Sequence, residues 1–324
     1  MNINLNENPA INIIAKIILV VFALAFVILA FFGIRFYLAN VAYQKALTCS
    51  NRNDSINGLE KAIKLNPYRS EYKISLARII LKEVSSELAK PRNEQDIDKI
   101  QKMVDSAVSE AKAASQISSN NVAVQETLGS VYRDIRFLAQ GAEIWTVKSF
   151  EKAISLEPTN PVLTVELGKA HLYLAESGSS LSGETDEENL DEAINQFNRA
   201  TKLKNDYWDA YCQLAIGLEA KGKTKEAIKK LEEIDKQSLI SDPNFAEIIF
   251  QLGRLYYNTG RTDEAISQFK QVIRFFPNHS NAHYSLGVIY AKQGRRDEAL
   301  KEFEKVLELN PESEDVKAKI EEIR

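Results

Sequence analysis

Residues 280–311 read S-N-A-H-Y-S-L-G-V-I-Y-A-K-Q-G-R-R-D-E-A-L-K-E-F-E-K-V-L-E-L-N-P. Apolar residues recur three and four positions apart, Gly294 interrupts them midway, and Pro311 ends them. That spacing predicts two amphipathic helices joined by a tight turn. Residues 246–277 carry the same pattern in the same register: A-E-I-I-F-Q-L-G-R-L-Y-Y-N-T-G-R-T-D-E-A-I-S-Q-F-K-Q-V-I-R-F-F-P. A fixed period of about 34 residues is the signature of a repeat array, in which each helix pair buries its apolar face against its neighbours.

Upstream the pattern starts near Phe36, Ser70, Val122, Pro161, Trp208 and Ala246, with insertions. The second unit is lengthened around Lys90-Pro91-Arg92, where the proline interrupts the helical run. The fourth carries S-G-S-S-L-S-G-E-T-D-E-E-N over 177–189, which has too few apolar residues to pack. This predicts a mobile acidic loop there. Downstream, residues 312–324 read as a capping helix with Val316, Ile320 and Ile323 on one face. A stack needs such a cap to shield its last apolar surface.

The N-terminal end is of another kind. Ile17 to Ile34 contains no polar side chain and is bracketed by Lys16 and Arg35. Such a run spans roughly 27 Å as a helix, close to the hydrocarbon thickness of about 30 Å. A core helix of this length would carry a polar stripe. A signal peptide would have a shorter apolar region and a small-residue cleavage site. Residues 16–38 are therefore expected to be an uncleaved transmembrane helix after a poorly ordered tail, 1–15. No Gly or Pro other than Gly33 interrupts helical periodicity up to Ala46, so the anchor is expected to run straight into the first repeat helix. Arg35, Lys45 and Arg52 after the span outnumber Lys16 before it, which leans toward a cytoplasmic array by one or two charges. The side of the membrane stays open on so small a margin.

The repeat units resemble the tetratricopeptide repeat family over about residues 36–313. The residues that carry the resemblance recur in register. First helices hold Leu128-Gly129, Leu167-Gly168, Leu252-Gly253 and Leu286-Gly287, with Leu76-Ala77 and Leu214-Ala215 as variants, and Tyr132, Tyr256 and Tyr290 follow three residues on. His171 and Leu218 take that last place in the fourth and fifth units. Second helices pair a small residue with a large one: Ala193 with Phe197, Ala227 with Leu231, Ala265 with Phe269, Ala299 with Phe303. Pro67, Pro158, Pro277 and Pro311 close their units. The departures are Asn205 in place of the closing proline in the fourth unit, the lack of both closing proline and aromatic in the second, and Ala42-Tyr43 in place of a Leu-Gly pair in the first. The resemblance implies an all-α chain: a transmembrane helix, then an α-solenoid of about seven helix pairs over 39–311, the regular ones at 246–279 and 280–313. It also implies a concave face, lined by first helices, that binds a protein or peptide. The order of anchor, F-Y-L-A-N-V-A-Y-Q-K-A-L and K-A-I-K-L-N-P-Y is in addition similar to the C-terminal end of some O-antigen-ligase-like membrane proteins. The many further spans of their catalytic part are absent, so no activity is carried over.

Composition narrows the function classes. With 41 basic and 45 acidic residues the net charge is -4, and no clustered basic face points to nucleic acid. Cys49 and Cys212 make neither a disulfide framework nor a metal pattern. His279 and His283 stand four apart but have no third ligand nearby in sequence. No glycine-rich phosphate loop follows a strand pattern and no nucleophile motif occurs, so no cofactor, metal or enzymatic activity is expected. What remains is surface. Candidate partner-binding residues are those that the repeat pattern leaves free on first helices: Phe250, Arg254, Tyr257 and Asn258 in the sixth unit, Asn281, Tyr284 and Val288 in the seventh, and Lys169 and Tyr173 in the fourth. For Tyr257 and Tyr284, packing between adjacent units is an equal alternative. The expected function is a membrane-anchored scaffold for protein–protein interaction. The alternative is an accessory or split C-terminal part of an O-antigen-ligase-like enzyme, without catalytic residues of its own.

Overall fold

The computed structural model describes residues 9–177, 186–234 and 245–323, and among these the chain is helical, with no strand. It divides into two compact units, Met1–Ala142 and Glu143–Arg324.

The first unit begins with α1, Pro9–Thr48, a single helix of 40 residues. Residues 9–15 are thus helical rather than part of a tail. Proline suits a first helical position, because its missing N–H would have had no intrahelical acceptor. From Ile13 to Ile34 every residue is exposed. This stretch is long and apolar enough to cross a membrane, and nothing covers it as a core helix would be covered. Partial burial starts at Arg35, and Ala39 is the first residue fully enclosed. The same helix therefore continues from the apolar span into the packed domain without a linker.

α2 (Arg52–Leu65) starts at Asn51, whose side chain accepts from the Asn53 and Asp54 amides. It runs back along α1, with Ala62 clustered with Ala39 and Gly58 against Ala46. A Cβ added at Gly58 would lie only 2.8 Å from the Ala46 Cβ. α3 (Ser70–Leu88) and α4 (Ile97–Ile117) form the lengthened pair. The break at Pro91 is bridged electrostatically. Glu87, 3% exposed, accepts from Lys90 Nζ at 2.8 Å and Lys99 Nζ at 2.9 Å. Those hydrogen bonds hold its carboxyl at about 2. α5 (Val122–Asp134) completes the unit, with Val131 and Tyr132 buried in the core around Leu76 and Ala77.

The second unit opens with α6 (Ala142–Leu156), followed by α7 (Pro161–Ser177) with α8 (Asp186–Leu203). α9 (Trp208–Ala220) pairs with α10 (Thr224–Glu232), α11 (Phe245–Asn258) with α12 (Thr262–Phe275), and α13 (Ser280–Lys292) with α14 (Arg296–Leu309). α15 (Glu314–Ile323) caps the stack, with Val316 and Ile320 buried. Helix starts at Ser70, Val122, Pro161, Trp208 and Ser280 coincide with the unit starts read from the sequence. Most of the expected acidic loop, 178–185, lies outside the described residues. At its edges Ser177 ends α7 and residues 186–189 form the first turn of α8. Asn189 is buried within that helix, its Oδ1 3.0 Å from His171 Nδ1.

The stacking residues behave as their spacing demands. Phe197, Phe269, Phe303 and Leu231 are fully enclosed, and the small partners Ala193, Ala265, Ala299 and Ala227 are at 0% exposure. A Cβ at Gly287 would come 2.7 Å from the Phe303 ring, and one at Gly253 2.8 Å from Phe269. Those glycines exist to let a ring in. Gly260 and Gly294 serve the turns instead, with φ of 79° and 72°. Each places the next amide, of Arg261 or Arg295, onto the carbonyl of Tyr256 or Tyr290 at 2.8 and 2.9 Å, closing the preceding helix.

Candidate partner-binding face

With one side of α7, α9, α11 and α13 given to the second helices, their opposite sides form a face of the second unit. Polar side chains tie neighbouring first helices together along it. Lys169 on α7 donates to Asp209 on α9 at 3.0 Å and lies 3.3 Å from Glu166. Burial pulls the Lys169 pKa down, but the two carboxylates outweigh it and the net shift is upward. Glu219 on α9 accepts from Arg254 Nη2 at 2.5 Å and Asn258 Nδ2 at 2.8 Å, both on α11. Lys292 on α13 donates to the Tyr257 hydroxyl on α11 at 2.6 Å and sits 5.2 Å from the centre of that ring.

The structure thus places Lys169, Arg254, Asn258 and Tyr257 each in a tie between neighbouring repeats, Lys169 at the start of α9 and Arg254 and Asn258 at its end. Tyr173 is half-buried, one turn beyond Lys169 on α7. Phe250 is drawn inward, its ring 5.5 Å from Phe269 and 5.1 Å from His279. Tyr284 meets Phe303 edge-on at 5.9 Å, within its own pair. Tyr284 also packs against the core shared by neighbouring repeats, and Tyr257 bridges to the next repeat through Lys292. Asn281 is exposed at the start of α13, where its carbonyl accepts from Ser285. Val288 lines a cavity of about 460 Å³ with Lys292, Arg296, Phe303, Lys319 and Ile323.

Sequence reading alone missed Asp209, Glu219 and Lys292, the partners in every tie. A signal was available. Lys292 follows Tyr257 by 35 residues and Arg254 follows Glu219 by 35, about one repeat length, so the pairs occupy neighbouring registers.

The histidines serve the stack. His279 Nδ1 caps α13 by accepting the Ala282 amide at 3.1 Å, and burial lowers its pKa. His283 bridges Glu302 and the Pro277 carbonyl, at 2.5 and 2.9 Å. Among the described residues, no group of three or more His, Cys, Asp or Glu converges to hold a metal. Burial pushes the Cys212 thiol up, away from the reactive thiolate.

Two tetratricopeptide repeat profiles match the chain, over residues 218–274 and 250–314. Residues 218–314 are tetratricopeptide repeats. A solved tetratricopeptide repeat protein from Parabacteroides merdae matches 89% of this chain and 99% of its own, at 14% identity and a TM-score of 0.62. The α-solenoid fold of such repeats therefore extends over most of the chain. MamA is 25% identical over 56% of this chain and 94% of its own, with a TM-score of 0.42. YrrB, described as a tetratricopeptide repeat protein with an unusual peptide-binding site, is 20% identical over 65% and 97%, with a TM-score of 0.41. At these scores the last two carry no argument about function. No curated protein sequence matches the chain. The resemblance to O-antigen-ligase-like proteins finds no support in these comparisons.

Proposed function

We propose that this chain is a membrane-anchored scaffold that holds a protein or peptide partner at the bilayer surface through the α7–α9–α11–α13 face. Tetratricopeptide repeats typically mediate protein–protein interaction, which supports the class of partner. One observation carries the reading. The recognisable repeat residues are consumed inside the stack, while α1 leaves residues 13–34 uncovered and joins the first repeat without a break. The array stands on the cytoplasmic side in this reading, following the excess of Arg35, Lys45 and Arg52 over Lys16.

The test is photocrosslinking in intact membranes from positions beside Arg254 and Tyr257, followed by identification of the captured protein. Replacing both residues should abolish capture of that partner and leave helicity intact. Unchanged capture would sink the assignment of the face. Sidedness is read from a membrane-impermeant thiol label at Asp297→Cys in a Cys49→Ser background. Labelling of intact cells from outside would reverse the orientation.

A further inference from the structure

The first helix pair carries a second surface, and its place relative to α1 decides what it meets. α2 runs antiparallel to α1: Gly58 lies against Ala46, Ala62 clusters with Ala39, and Arg35 Nη2 donates to the Lys64 carbonyl at 2.8 Å. Arg35 is the first charge after the apolar span. The end of α2 therefore stands level with the point where that span stops. The turn between α2 and α3, 66–69, is held by buried Asn66, whose side chain accepts the Tyr68 amide at 3.3 Å. The start of α3 is held by Tyr72 against Tyr43, with ring centres 4.7 Å apart. The turn is thus held between the Lys64 end of α2, which meets Arg35, and the start of α3, which meets Tyr43.

This end displays two aromatic residues with no core to enter. Tyr68 is 77% exposed and Tyr37 68%. Near Tyr68 in the chain Lys64 and Arg69 are exposed, and Arg35 keeps further guanidinium donors beyond the one used on Lys64. Arg69 pairs with Glu71 at 3.8 Å, and both side chains are about half exposed or more. Tyrosines with cations at the end of an apolar helix suit the headgroup layer, where the ring sits among acyl ends and the polar groups meet phosphate.

We infer that Arg35, Tyr37, Lys64, Tyr68 and Arg69 form a foot that rests on the anionic headgroups of the same bilayer that α1 crosses. This rests on the membrane-anchored reading. The foot adds that the Lys64 end of the first helix pair bears on the lipid, so that pair is held at a set angle to the bilayer.

The test places an environment-sensitive fluorophore on Tyr68→Cys in the full chain with Cys49→Ser. The protein is reconstituted in phosphatidylcholine vesicles with or without phosphatidylglycerol, and lipids brominated near the headgroup serve as quenchers. The same label on Asp297→Cys is the control. Quenching at 68 several-fold above 297, deepened by phosphatidylglycerol and lost on adding Lys64→Glu with Arg69→Glu, supports the foot. Lys64→Gln with Arg69→Gln should give a partial loss, and stands in if the glutamate variant loses helicity. Vesicle-bound protein whose label at 68 is quenched no more than at 297 overturns the foot and leaves the anchor standing. Protein that fails to sediment with the vesicles overturns the anchor reading and the foot with it. A shift at 68 that grows with protein concentration in detergent assigns the surface to a second copy and overturns the foot.

Discussion

In the last helix pair the glycine stands on the first helix: Gly287 on α13 faces the ring of Phe303 on α14. In the first pair it stands on the second helix: Gly58 on α2 faces Ala46 on α1. Both sites would bring an added Cβ below 3 Å from a neighbour, 2.7 Å at Gly287 and 2.8 Å at Gly58. The demand is the same, close approach of two helices, and the residues that meet it are exchanged. α13 and α14 are wedged by an aromatic ring. α1 and α2 make their close approach through small residues, Ala39 and Ala46 on α1 with Gly58 and Ala62 on α2, and Leu59 and Tyr43 fill in beside them. The repeat motif is therefore one solution to a packing problem, and the first pair uses another.

The largest expected effect breaks the wedge. Phe303→Ala removes a fully enclosed ring and should destabilise the second unit by about 3–5 kcal/mol. Both tryptophans, Trp145 and Trp208, lie in that unit, so denaturant unfolding followed by tryptophan fluorescence reads it directly. An effect under about 1 kcal/mol would mean that the ring is dispensable and the seam closes without it.

The next prediction tests the exchange itself. Gly58→Ala should cost about 1–3 kcal/mol through overpacking, and Ala46→Gly in the same chain should restore most of it. The double variant moves the glycine to the first helix, where the later repeats have it. Amide hydrogen exchange in α2 is the measurement. Failure of the rescue would show that the closeness at Gly58 is not what fixes this pair.

A third difference is electrostatic. The first unit is bridged across its Pro91 break by Glu87, whose carboxyl is held at about 2 by Lys90 and Lys99. A depressed carboxylate stabilises the fold above its unfolded value and loses that contribution as the pH falls through its folded one. Protection of α3 and α4 should therefore fall between about pH 4.5 and 2, and Glu87→Gln should flatten that loss. Hydrogen exchange across that range checks it.

The smallest effect on stability should come from the outer face. Arg254→Ala with Tyr257→Phe removes half-exposed ties, which should cost no more than about 1 kcal/mol while abolishing partner capture. A larger loss, seen as a lower unfolding midpoint by circular dichroism, would make these ties a structural strut.

Much of the fold was legible because the repeat acts on periodicity. Leu286, Gly287, Tyr290, Ala299 and Phe303 recur at fixed offsets, and each offset maps onto a seam that any helix pair must fill. The N-terminal apolar span was legible as an uninterrupted run, and its continuity with the first repeat as the lack of a helix breaker. The candidate face was only half legible. Arg254, Tyr257 and Asn258 stood out as residues the motif leaves free, but their partners Glu219 and Lys292 lie a repeat away, where local periodicity says nothing.

By itself the sequence determined the helix pairs, their glycines and rings, and the span that ends at Arg35, since all of these are set by residues close along the chain. Only the tertiary structure decided which distant side chains meet. It drew Phe250 and Tyr284 inward onto rings, tied Tyr257 to Lys292, and brought the Lys64 end of α2 level with Arg35. Such contacts depend on how helices lie side by side, and one helix reverses onto another through geometry that spacing alone does not encode.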